Sequence, residues 1–329
     1  WSLFQVLFNI VDTFYAGKIS SDALAALAKA FPLYFIVISA GIGIVAGCNS
    51  LIANAIGSRN SLLASIYSYH SIVYAIFLSI FITFVGIFFS EYLLKSMGSS
   101  SQSIILSKEY IDIIFYGTII FLILTALNSI LYAQGDTKTY RNVLFFGLIA
   151  NIILNPIFIF GFLFIPSFGV AGLAISTVMI QFCACIYIFY KVNKTRLKII
   201  IKFSNFEIKK NFFLNIFNQC MPITMALFLV AIGSYLLLSF ISVFGDQAVA
   251  GYGAAVRFEH LFSLPVIGLN TAVISIAGQN FGALRYDRIK DVYFTAIFVG
   301  FAIMVLSGII IFIFAEIIIS IFFSDLEVV

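Results

Sequence analysis

The chain is organised around a series of apolar runs, each close to the ~20 residues that a helix needs to cross ~30 Å of hydrocarbon. No other feature constrains the fold as much. A segment in lipid must satisfy its own backbone N–H and C=O groups, which leaves helices and closed barrels. The runs do not alternate with period 2, so a barrel is excluded. Composition agrees, since 62% of the 329 residues are hydrophobic and 10% are charged. A soluble domain carries about 25% charged residues. The sequence therefore describes an all-α integral membrane protein.

Nine spans can be read, at roughly 1–16, 27–56, 66–89, 111–133, 142–164, 170–190, 220–243, 249–277 and 292–314. Polar turns such as Gly57-Ser58-Arg59-Asn60 and Gln134-Gly135-Asp136-Thr137-Lys138 separate them. Residues 90–110 carry serines and scattered charges and read as an exposed connector with room for an interfacial helix. Residues 191–215 hold seven lysines and arginines. Between apolar spans such a stretch reads as a loop beside anionic lipid, and no nucleic-acid partner is expected. With the first loop outside, thirteen basic residues fall on one side of the membrane and four on the other. The positive-inside rule then puts the N-terminus of this multi-pass membrane protein in the cytoplasm. The four cysteines, at 48, 183, 185 and 220, lie in apolar runs and read as small core residues, without a metal or disulfide pattern. The chain begins at Trp1, already inside an apolar run, so its start is expected to be truncated.

The sequence also repeats itself. Shifted by 225, residues 23–91 meet 248–316 without a gap, and Gly57 meets Gly282 while Glu91 meets Glu316. Spans one to three and seven to nine thus look like equivalent thirds of two six-helix halves. Both copies start from the same side, so the repeat is parallel, about an axis along the membrane normal. The expected organisation is an N-lobe over 1–190, a basic cytoplasmic linker over 191–215 and an incomplete C-lobe over 216–329. The same shift implies about 86 further residues, or three helices, so that nine of an expected twelve spans are present.

Polar residues within the spans mark function, because ionisable groups in lipid are costly and face cavities or partners. Ser2, Gln5, Asn9 and Asp12 share one face of span one. Asn151 and Asn155 share a face of span five, and Pro156, lacking an N–H, frees the carbonyl of Ile152. Such a helix suits a bound cation or a proton-dependent network, although a plain interhelical hydrogen-bond pair fits the same residues. Span six adds Ser176, Thr177 and Gln181, of which Thr177 and Gln181 share a face. Arg257 and Glu259 in span eight are two apart, so each needs a partner on another helix and both read as structural charges. No catalytic motif, phosphate loop or metal-ligand cluster appears. The chain is not expected to be an enzyme or to carry a cofactor or metal, and any energy it uses would come from an ion gradient, or from nothing.

Val11-Asp12-Thr13-Phe14 with Gly17 and Asp22-Ala23-Leu24-Ala25-Ala26 resembles the opening helix of the MATE family of multidrug and toxic compound extruders. Gln134-Gly135-Asp136-Thr137, the stretch from Asn151 to Pro156, and Gly278-Gln279-Asn280-Phe281-Gly282-Ala283 resemble three later landmarks of that family, in order. The resemblance implies a two-lobe, twelve-helix cation-coupled antiporter whose central cavity opens alternately to either side. It assigns Asp12 to the first-helix protonation and Na⁺ site, Asn151 to the adjacent amide and Thr177 to a sixth-helix hydroxyl. Asn155 stands where the DinF-like branch often has Asp, and Val230 where the NorM-like branch has Glu. Leu237 lies opposite Asp12 in the repeat. Coupling therefore falls on the N-lobe, with H⁺ favoured over Na⁺, and the chain is read as closer to the DinF-like branch. The expected cargo is an amphipathic, cationic small molecule, with Gln5, Asn9 and Gln181 as polar cavity candidates and a monomer in the bilayer as the working form. A lipid or lipid-linked oligosaccharide flippase of the same superfamily is the alternative. It would be expected to carry more Arg and Lys in its cavity than the lone Arg257.

Overall fold

A computed structural model describes residues 2–96, 101–195, 197, 209–241 and 265–320. Within them the chain folds into α1 (Ser2–Ile19), α2 (Ser21–Gly57), α3 (Ser61–Ser96), α4 (Ser101–Ala133), α5 (Lys138–Phe160), α6 (Val170–Asn193), α7 (Lys210–Ile241), α8 (265–282) and α9 (Tyr286–Ser320). Seven of the nine are long and apolar enough to cross a membrane. The other two are α1, with 18 residues and a length of about 27 Å, and α8, whose expected first half lies outside the described residues. The expected all-helical membrane fold is thus the observed one. Arg257 and Glu259 lie outside the described residues, as do 196 and 198–208 of the basic stretch.

Boundaries differ from the sequence reading where polar residues support helix. Only Ser20 separates α1 from α2, with an extended backbone and a side chain that accepts from the Ala23 N–H at 3.0 Å. This N-cap, with Asp22 in the first turn, starts α2 well before its apolar run. The connector expected over 90–110 is largely helix, because α3 runs to Ser96 and α4 starts at Ser101. Its charges form i,i+4 pairs, Lys95 with Glu91 at 2.7 Å and Lys108 with Asp112 at 3.0 Å. Ser90 also donates to Asp112, joining α3 to α4.

The centre of the bundle is α2 packed on α4. One face of α2 is buried at Ala23, Ala26, Ala30, Leu33, Val37, Ala40, Ile44, Cys48, Ile52 and Ala55. Steps of three and four keep these on a single stripe. The small residues let backbones come close, which is how helices associate where lipid removes the hydrophobic difference between neighbours. Around this pair, α3 and α6 pack on α4, α5 packs on α6, and α1 closes onto α5 and α2. α7 joins through α2 and α3. There Asn215 donates to the Tyr67 hydroxyl at 3.2 Å. His70, buried on α3, accepts at Nε2 from the Lys209 N–H just before α7. Its other nitrogen, Nδ1, then carries the proton given to the Ile66 carbonyl at 2.9 Å.

The internal repeat survives at the level of single hydrogen bonds. After α2, the N–H of Asn60 reaches the carbonyl of Ala55 and that of Arg59 reaches Ile56. After α8, Arg285 reaches Asn280 and Leu284 reaches Phe281. Each pair is the other shifted by 225. Both turns end in a left-handed residue, Arg59 at φ 57° and Leu284 at φ 58°. These are matched Schellman caps, and the next helices begin at Ser61 and Tyr286, again 225 apart.

Candidate functional site

The site forms where α1, α5 and α6 meet. On α5, Tyr140, Leu144, Asn151, Asn155 and Ile159 are buried on one face. The apolar members seat the helix, and the two amides turn the same face toward α1. Asp12, only 6% exposed, receives both. Asn151 Nδ2 donates to Asp12 Oδ1 at 2.9 Å, and Asn155 Nδ2 donates to the same oxygen at 2.8 Å. The second carboxylate oxygen, Oδ2, accepts from neither amide.

The carbonyl of Ile152, deprived of its helical partner by Pro156, is not left open. The Tyr15 hydroxyl, one turn beyond Asp12 on α1, donates to it at 3.1 Å. The carbonyl read from the sequence as available to a cation is thus already occupied. Tyr15 carried no signal in the sequence, being one aromatic among many.

From α6, Ser176 donates to Asn155 Oδ1 and also lies 2.9 Å from the Leu173 carbonyl; its single proton serves one acceptor at a time. Its neighbour Thr177 is also buried, with a hydroxyl that has no hydrogen-bond partner. The same holds for Asn151 Oδ1. The sequence reading named Ser176 and Thr177 together on span six and placed Thr177 in the site. The structure brings Asp12, Asn151, Asn155 and Ser176 into one bonded network, with Thr177 adjacent to Ser176 in sequence and outside the bonds. Of the cavity candidates, Asn9 is exposed, Gln181 is half-buried one turn beyond Thr177, and the side chain of Gln5 lies outside the described set.

The network can do one thing chemically with ease. A buried carboxylate that takes two amide N–H donors on one oxygen can gain or lose a proton at the other. The unpartnered oxygens of Asn151 and Thr177 could add two further donors toward a hard cation.

A helical membrane bundle with a parallel internal repeat and a buried polar site between helices is the architecture of a secondary transporter. The MatE family profile matches residues 2–157 and 222–329, and the chain belongs to that family. It is 26% identical to the Probable multidrug resistance protein YoeA of Bacillus subtilis, over 99% of this chain and 71% of that protein. It is 25% identical to the FAD transporter of Shewanella oneidensis, over 86% of this chain and 63% of that protein. Among solved structures, a MOP superfamily transporter from Pyrococcus furiosus superposes with a TM-score of 0.91 at 26% identity, covering 99% of this chain and 72% of that one. The binding pocket of that transporter is described as reversed in polarity, which suggests a different function for it.

Proposed function

We propose that the chain belongs to a cation-coupled exporter of amphipathic small molecules in which Asp12 carries the coupling ion. The supporting observation is the closure of two α5 amides on one oxygen of a buried carboxylate on α1. Protonation at the other oxygen removes the charge those amides stabilise and loosens the tie between α1 and α5. Coupling requires that the proton favour one arrangement of the lobes over the other, since equal binding to both would shift nothing. H⁺ is preferred to Na⁺ because Asn155 supplies no second charge. The absence of a carboxylate at Val230 fits the DinF-like rather than the NorM-like reading.

In this reading residues 1–190 form one lobe, 191–215 the linker and 216–329 part of the other. The basic turns and the N-terminus face the cytoplasm of the inner membrane, and the protein works as a monomer without a cofactor. Asn9, Gln181 and Gln5 line the route of the cargo, and Arg257 and Glu259 are structural charges. A cationic cargo suits a site whose one buried formal charge in this network is acidic. The Shewanella relative is named for FAD, a diphosphate, so dyes of both signs belong in the test.

The test is dye efflux from cells producing the protein, with external pH varied, with and without a protonophore, and with Na⁺ varied. Efflux should fall as external pH rises, because loading Asp12 from outside requires protons. The Asp12→Asn variant should reach the membrane in normal amount and lose gradient-driven efflux. Wild-type efflux by that variant across the pH range would end the assignment. Retained efflux of anionic dyes alone would turn the reading toward a lipid or lipid-linked oligosaccharide flippase.

A further inference from the structure

Between α2 and α7 the backbones approach unusually closely. A methyl group added at Gly47 would lie 2.8 Å from the Cys220 nitrogen, and one at Gly43 would lie 2.9 Å from the Cys220 carbonyl oxygen. Real side-chain carbons do not come that near, so only glycine on α2 permits the contact. The consequence falls on the next residue. Cys48, beside Gly47, has its Sγ 3.9 Å from the Sγ of Cys220, and both thiols are buried and free.

We propose that Cys48 and Cys220 are an oxidisable dithiol which, as a disulfide, staples α2 to α7. The sulfurs must close by about 2 Å to reach a bond length of about 2.05 Å, a distance within reach of side-chain rotation in helices already this close. The oxidant is a peroxide. One thiolate attacks a peroxide oxygen, giving a sulfenic acid and water. The second thiolate attacks that sulfur, forming the S–S bond and releasing a second water. The two thiols together lose two electrons and two protons, and the peroxide takes up both. Hydrogen peroxide is close to water in size and enters when α2 and α7 part; their return places the sulfurs in contact.

The two cysteines are 172 residues apart and belong to the two halves of the repeat. A bond between them fixes the halves in the present arrangement. Resting on the exporter reading, such a bond arrests transport until a thiol reductant opens it. Cys183 and Cys185 cannot substitute for the pair, since both are on α6 and two residues apart.

The experiment treats the purified, reconstituted full-length protein that contains this chain with hydrogen peroxide, alkylates it under denaturing conditions and digests it with trypsin. Peptide 30–59 should appear linked to 211–257, and dithiothreitol should separate them. Cys48→Ser and Cys220→Ser should each lose the link, and either variant alone suffices. A peroxide dose that oxidises Cys183 but leaves Cys48 and Cys220 fully alkylated overturns the proposal. In the same vesicles, linked protein should lose gradient-driven dye efflux and regain it with dithiothreitol, while Cys48→Ser keeps it under peroxide. Linked protein that still exports overturns the arrest. Unoxidised protein that exports nothing overturns the exporter reading instead, and the linked peptide still decides the chemistry of the pair.

Discussion

A carboxylate buried among helices is worth its cost only if its partners are right, and the partners of Asp12 are two amides on a single helix face. Two substitutions separate its electrostatics from its positioning. Asn155→Asp would place a second carboxylate 2.8 Å from where Asn155 now donates, and two like charges need a cation or a shared proton between them. Efflux by this variant should acquire a dependence on Na⁺, and identical rates in Na⁺ and K⁺ media would refute it. Tyr15→Phe removes the donor to the Ile152 carbonyl and leaves a backbone acceptor unsatisfied, at a cost of about 1–3 kcal/mol. Its melting temperature in detergent should fall, whereas the pH profile of efflux should keep its shape, because Asp12, the proposed proton carrier, is untouched. That Asp12, Asn151 and Asn155 need polar partners was legible in the sequence, since polar groups in apolar helices must meet something. That they meet one another came from the family resemblance and not from spacing, because the bonds join residues 139 and 143 positions apart. Which of Ser176 and Thr177 bonds to Asn155 was not legible, for a plain reason. One residue along a helix is about 100° of rotation, and the sequence does not fix the helix to that accuracy.

Helices in this chain begin and end on local chemistry that hydropathy alone does not reveal. The apolar runs gave the number and order of the helices, but Ser20 and the paired charges at 91, 95, 108 and 112 extend them past the apolar boundaries. The turns after α2 and α8 are the clearest case. Each ends in a left-handed residue that is not glycine, at Arg59 and Leu284. An L-residue there costs about 1–2 kcal/mol relative to glycine. Leu284→Gly should therefore stabilise the turn by about 1 kcal/mol, less whatever entropy glycine adds to the unfolded chain. Thermal unfolding in detergent reads this as a rise in melting temperature, and Arg59→Gly should give a similar one. A fall at both positions would mean that the side chains hold these turns through contacts of their own. The repeat was legible in outline, because turn positions stay in step over 225 residues. Its persistence in individual hydrogen bonds was not, because the two copies share few identities and the cap is a backbone motif.

At the scale of the whole molecule, the described parts of α2 and α8 meet in a near-symmetric crossing. Gly57 on α2 faces the carbonyl of Gln279 on α8, and Gly282 on α8 faces the carbonyl of Asn54 on α2. A shift of 225 exchanges Gly57 with Gly282 and Asn54 with Gln279, so the contact maps onto itself, as a two-fold interface does. Asn49 donates to Ser275 at 2.9 Å within the same seam, and Gln279 donates to the Ala133 carbonyl at the end of α4. The seam closes the end of the bundle that carries the turns at Arg59 and Arg285. A carbon added at either glycine collides with a backbone carbonyl, which cannot swing aside as a side chain can. Gly57→Val should therefore disfavour this closed arrangement while leaving each half folded. To measure this, a thiol is placed at Ala53, fully buried beneath the crossing, in a background with the four native cysteines replaced by serine. Its labelling rate by a water-soluble maleimide reports how often the seam is open. A bias of ~1.4 kcal/mol toward the open arrangement would make labelling about tenfold faster. Gly282→Val should do the same, since the crossing is reciprocal. If Gly57→Val labels no faster than its parent, the seam is not a moving contact, and the proposed alternation of the two lobes must be sought elsewhere in the bundle.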